Sequence, residues 1–151
     1  MKTAYILMFS MFALLSPRAR CAEFVDAHLG KGLTISITDD AKRTKKIGTG
    51  RRPREISISP DRITVAWISV DGGTETLNLY RNNKRRMIKC DQLIRSYWFV
   101  ARGKRIAMDC GGEHFAGIES LFDTETLSEI EKVDQSKTPY EKRPSWSKDE
   151  D

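Results

Sequence analysis

Hydrophobic and polar positions alternate along most of this chain. Leu33, Ile35 and Ile37 are interleaved with Thr34, Ser36 and Thr38, the period-two signature of a half-buried strand. Ile56 and Ile58 alternate with Ser57 and Ser59. The run "RITVAWISV" (62–70) is β-branched and apolar enough to be buried on both faces. "TETLNLYR" (74–81) alternates again through Leu77 and Leu79, and "RRMIKC" (85–90) reads as a further strand. "DGG" (71–73) and "NNK" (82–84) are hairpin signals between these runs. The series then recurs as "IRSYWFV", an "RGK" turn, "RIAMDC", a Gly-Gly turn, "GIESLF", a "DTET" turn and a last strand reaching Val133. Only "TETLSEIEKV" (124–133) has spacing that admits a helix, and its shortness favours a strand. Residues 135–151 are polar, charged and broken by proline, which predicts a flexible tail. The expected class is all-β.

The two series align. "SPDRITVAW" (59–67) matches "ARGKRIAMD" (101–109), Gly72-Gly73 matches Gly111-Gly112, and "LNLYRNNK" (77–84) matches "ESLFDTET" (119–126). A period of about 40–45 residues with four short strands is a propeller-blade signature. Ser-Pro-Asp, a strand ending in Ala-Trp, and then Leu-x-Leu-Tyr-Arg resembles the blade repeats of TolB-type β-propellers. It is also similar to small exported bacterial proteins of unassigned function. The resemblance implies two propeller-blade-like four-stranded antiparallel sheets, about 55–94 and 95–134, within a single β domain over 23–134. A closed propeller has four or more blades. Two blades therefore imply an incomplete propeller or a small sandwich, with association of copies as a homodimer left open. Ser59-Pro60-Asp61 reads as the turn between adjacent blade strands rather than as a catalytic element. "WSKDED" (146–151) resembles the opening of another blade. Trp146, set in a polar segment, would dock on an open sheet edge or meet a partner.

The first residues change the charge argument. "MKTAYILMFSMFALLSPRARCAE" has a basic start, an apolar run over 3–15 and a polar end. That is the layout of a secretory signal peptide over 1–22, cleaved after Cys21 or Ala22. The apolar run is too short to span a membrane. The formal net charge of +5 includes Lys2, Arg18 and Arg20, so the mature chain carries about +2. Nucleic acid is therefore not an expected partner, and the expected location is periplasmic or secreted. Cys90 and Cys110 remain, either bridged in an oxidising compartment or as two separate thiols.

Candidate chemistry is sparse. His28 and His114 are the only histidines, and no nucleophile-elbow pattern accompanies them. Cys90, Cys110 and His114 lack zinc-type spacing, so neither metal nor cofactor is expected. Trp67 reads as core. Glu113 and His114 sit in "DCGGEHFAG" (109–117), either a binding loop or a wide hairpin loop. Lys42, Arg43, Lys45, Lys46, Arg51, Arg52 and Arg54 form a basic run. It is either a solvated loop or a surface for anionic headgroups, lipopolysaccharide or an acidic protein. No aromatic residue interleaves it, which argues against stacking on single-stranded nucleic acid. The function these observations predict is an exported, non-catalytic binding protein. It would meet a protein or envelope component through hairpin loops and the basic segment. The alternative is a periplasmic enzyme inhibitor or immunity-type protein.

Overall fold

The computed structural model describes residues 22–71 and 73–148. The signal segment, apart from Ala22, lies outside them. Among the described residues eleven strands form three antiparallel sheets. The first holds β1 (Phe24–Leu29), β2 (Thr34–Asp39) and β3 (Thr44–Gly48) in that order. The second runs β4 (Arg54–Ile58), β5 (Thr64–Asp71), β6 (Thr74–Arg81) and β7 (Lys84–Cys90). The third runs β8 (Leu93–Val100), β9 (Arg105–Gly111), β10 (Ile118–Asp123) and β11 (Glu129–Asp134). The second and third sheets are the two expected blade-like repeats. The first sheet precedes them and has three strands. The basic run is not all loop: Ile47 pairs with Ile35 across β2–β3 and packs into the core, which draws Lys45 and Lys46 into an edge strand and leaves Lys42, Arg51 and Arg52 in the flanking connections.

Strand periodicity explains how the sheets stack. Val65 and Trp67 point from one face of β5, and with Tyr80 they pack on Ile35 and Ile37 of the first sheet. Ala66 and Ile68 point the other way. With Leu77, Leu79 and Ile88 they pack on Ile94, Ile106, Met108 and Phe122 of the third sheet. Trp67, Val65, Ala66 and Ile68 are all fully buried, as two-faced burial of β5 requires. The two outer faces of the stack differ. On the first sheet Asp26, His28, Thr38 and Lys46 share the outward face by register, which suits water. The outward face of the third sheet holds an apolar cluster, Trp98, Ala107, Leu121 and Val133, beside the carboxylates of Asp109, Glu119 and Glu131.

The expected flexible tail is the structural surprise. Residues 135–148 fold into two 3-10 turns, Tyr140–Lys142 and Ser145–Ser147, and lie over that face. Trp146 is 8% exposed and packs on Ala107, Leu121 and Val133. Its carbonyl accepts a 2.8 Å bond from Trp98 Nε1, and its own Nε1 donates to Glu131 at 2.7 Å. One tryptophan thus docks a strap that polar composition alone predicts to be loose.

Turn chemistry matches the repeat. Ser59 N–H donates to the Thr64 carbonyl and Arg62 N–H to the Ser59 carbonyl, which makes Ser-Pro-Asp the β4–β5 turn. Gly103, at φ 88°, occupies the matching β8–β9 turn, and a Cβ there would lie 2.8 Å from Asp61 Oδ1. The two turns therefore stack. Asn82 and Asn83 both take positive φ, as a two-residue hairpin turn demands. Cys90 and Cys110 form a disulfide that ties β7 to β9 across the second and third sheets. Of the two readings of these cysteines, the bridge holds, and such a pair is compatible with an oxidising compartment. Among the described residues no helix is long and apolar enough to cross a membrane.

Candidate binding surface

The basic run spans the length of the β3 edge. At one end Asp39 organises the β2–β3 turn: it accepts the Arg43 N–H at 2.9 Å and Arg43 Nε at 2.8 Å. The Arg43 backbone N–H and then its guanidinium hold the Asp39 carboxyl below the usual range. Lys42 completes the turn at φ 59° and is exposed. Lys45 lies 5.0 Å above the Tyr80 ring, a cation–π contact, and Phe24 packs on Tyr80 with centroids 5.9 Å apart. These groups, with Ile37, Arg43 and Asn83, line a cleft of about 260 Å³ between the first and second sheets. Lys46 points to the outer face.

Arg51 and Arg52 are exposed at the opposite end. They follow Thr49, which is buried and clamps the β1–β2 loop. Its N–H donates to the Leu33 carbonyl at 2.9 Å, and its hydroxyl lies 2.6 Å from the Leu33 and Arg51 carbonyls. Arg54 does not belong with them. Its Nη2 donates to both Glu75 oxygens, at 3.1 and 2.9 Å, and to the Ile94 carbonyl at 2.6 Å. Glu75 accepts the Ile94 N–H at 2.6 Å. Arg54 therefore staples the second sheet to the third, a structural use that linear spacing hides.

The structure adds cations that sequence reasoning passed over. β7 carries Lys84, Arg85, Arg86 and Lys89 and, like β3, no acidic residue. Arg85 reaches across to the Gly48 carbonyl at 3.3 Å, stacks 5.5 Å from the Trp67 ring and donates twice to Asn78 Oδ1, at 3.0 and 2.8 Å. The cationic edges of the first two sheets are thus neighbours. Residues 23–92 hold fourteen Lys or Arg against nine Asp or Glu, whereas residues 93–134 hold five against eight. Charge is therefore segregated: positive over two sheets, negative over the third. The signal for this was present as the acid-free "KRRMIK" (84–89). What was missing was the adjacency.

Glu113 and His114 lie on the third sheet, in the β9–β10 loop, with the second sheet between them and the basic run. Both are exposed. The same loop presents Phe115, 76% exposed, on a braced base. Arg95 Nη1 donates to the Phe115 carbonyl at 3.1 Å, and Gly117 N–H donates to Gln135 Oε1 at 2.9 Å. Arg95 is itself held by Asp109 at 2.8 Å and Gln135 at 2.6 Å. A Cβ on Gly117 would lie 2.9 Å from the Cys110 carbonyl oxygen, a backbone atom, so the neck of the loop favours glycine. Among the described residues no group of three His, Cys, Asp or Glu side chains is placed to hold a metal ion.

Two solved structures share this fold. The β-propeller domain of the trilobed protease from Pyrococcus furiosus, described as having an open velcro topology, is 16% identical with a TM-score of 0.55. The match covers 76% of this chain and 43% of that one. Pyrococcus horikoshii acylaminoacyl peptidase is 17% identical with a TM-score of 0.51, over 76% of this chain and 25% of that one. This chain therefore spans less than half the length of either, and at such identity the likeness shows a propeller-like fold alone. No protein-family model and no curated protein matches the chain.

Proposed function

We propose that this chain is an exported, non-catalytic binding protein built on TolB-type blade repeats, and that it works in the periplasm or outside the cell. Its partner is an acidic protein or envelope component met by the basic edges of the first two sheets. The observation that carries this reading is the charge segregation. Cations from β3 and β7, far apart in sequence, converge on neighbouring edges free of acids, while on the third sheet acids outnumber cations. Such a field steers an anionic partner to one side. Edge lysines also guard against stray strand pairing, but that role does not need Arg51 and Arg52 beyond the strand end.

Affinity capture tests the reading. Immobilised protein is exposed to envelope extract at low and moderate salt, beside a variant with Lys42, Lys45, Lys46, Arg51 and Arg52 changed to Glu. One species retained at moderate salt and lost from the variant is expected, with Arg54→Ala retaining it. Retention of nothing, or equal retention by the variant, refutes the role of the basic edges. A second reading, an enzyme inhibitor or immunity-type protein, is favoured by the braced loop that displays Phe115. For that reading Phe115→Ala would abolish capture while the basic variant would not.

A further inference from the structure

The end of the first sheet carries a feature that the basic surface alone does not explain. The β1–β2 connection is "LGKGL", residues 29–33, in which Leu29 ends β1 and 30–33 form the loop. Leu29 and Leu33 flank Lys31, and they are 40% and 45% exposed. Leu33 also sits at φ 57°, the left-handed region that a branched apolar side chain disfavours. The loop is nonetheless firmly built. Gly30 N–H donates to the Thr34 carbonyl at 2.7 Å, Thr34 Oγ1 donates to the Lys31 carbonyl at 2.8 Å, and Thr49 clamps the Leu33 carbonyl. That clamp brings the segment holding Arg51 and Arg52 alongside Leu33. Asn or Gly would suit the backbone of position 33 better, and a polar residue would suit its exposure better. Leucine there serves neither the turn nor the core.

We infer that this tip docks on an anionic lipid surface, with Leu29 and Leu33 entering the headgroup–acyl boundary and Lys31, Arg51 and Arg52 meeting lipid phosphates. Two exposed leucines with Lys31 between them and the Arg51–Arg52 segment beside Leu33, and no acid in 29–38 or 41–54, match such a surface in both apolarity and charge. A protein pocket or a second copy would not need three cations beside the leucines. The inference rests on the reading of the basic edges as a binding surface, and names its partner.

The test is partitioning onto phosphatidylcholine vesicles with and without phosphatidylglycerol, measured by sedimentation. The protein is recovered from cells after export, and every variant carries the same N-terminus, so the tip is read as a difference. The parent is expected on anionic vesicles only. Leu29→Ser with Leu33→Ser should lower partitioning about tenfold, from the apolar area withheld. Each of Lys31→Ala, Arg51→Ala and Arg52→Ala should lower it about fivefold. Leu33→Asn guards against misfolding: it relieves the backbone, so its thermal midpoint should hold or rise while partitioning falls. Equal partitioning by the leucine variants overturns the inference, as does failure of the parent to bind anionic vesicles. Self-association without lipid that the leucine variants abolish would also overturn it, in favour of a second copy. If vesicles fail but the capture assay retains its acidic species, this inference falls and the basic-edge reading stands. If both fail, both fall.

Discussion

Replacing Trp146 by alanine tests how the outer face of the third sheet is covered. A tryptophan side chain withholds about 200 Å² from water, worth about 5 kcal/mol at ~25 cal/mol/Å², and this is an upper bound. Measured truncations of buried aromatics cost about 3–5 kcal/mol. The bond from Trp146 Nε1 to Glu131, worth about 1 kcal/mol, is counted within that range. The expected loss is therefore about 4 kcal/mol, and it should fall on the strap first. Residues 135–148 hold to the sheet through Trp146, their one large buried apolar side chain, and through polar ties to the buried Glu119, which accepts from Gln135 at 2.6 Å and from Ser147 and pairs with Arg143 at 3.6 Å. Hydrogen exchange read by mass spectrometry is the assay. The amides of Arg143, Ser147 and Lys148, bonded within the strap's turns, should lose about a thousandfold in protection. Those of β5 and β6 should change little. Trp146→Phe keeps most of the burial and should cost about 1–2 kcal/mol. Strap amides in Trp146→Ala that stay within tenfold of the parent would refute the idea that this residue docks the strap.

Other consequences can be measured alongside. Cys90→Ser with Cys110→Ser, or reduction of the parent, should lower stability by about 3 kcal/mol in urea unfolding, because the bridge closes a loop of separation 20. Arg54→Ala should cost about 2 kcal/mol by stranding Glu75, while leaving retention of the anionic partner intact. Gly103→Ala forces a methyl against Asp61 at a positive φ and should lower the thermal midpoint by several degrees; an unchanged midpoint would show that the turns do not stack. Lys137 and then Ser136 bring the Asp134 carboxyl down to about 2, and backbone N–H bonds lower Asp39 and Asp123. Depressed carboxylates contribute stability that is present above about pH 4, the unfolded value, and lost as pH falls toward about 2. The urea midpoint should accordingly drop across that window, and less steeply in Asp134→Asn.

Local pattern carried much of this architecture. Period-two alternation marked most of the strands, Asn82-Asn83 and Ser-Pro-Asp marked turns, and the internal match of 59–84 to 101–126 marked two four-stranded sheets. These features depend on neighbours in sequence, where backbone dihedrals and the side-chain period act directly. Three decisions needed the folded chain. Ile47 made a strand of part of the basic run because Ile35 and the Trp67 face were there to receive it. Trp146 ordered a polar tail because the third sheet left an apolar cluster uncovered. Arg54 left the basic surface because Glu75 and the Ile94 carbonyl stood within reach. In each case a residue's role was set by groups distant in sequence, through burial or charge pairing. The charge segregation is of the same kind: composition records the cations of β3 and β7, and only the pairing of sheets makes them neighbours.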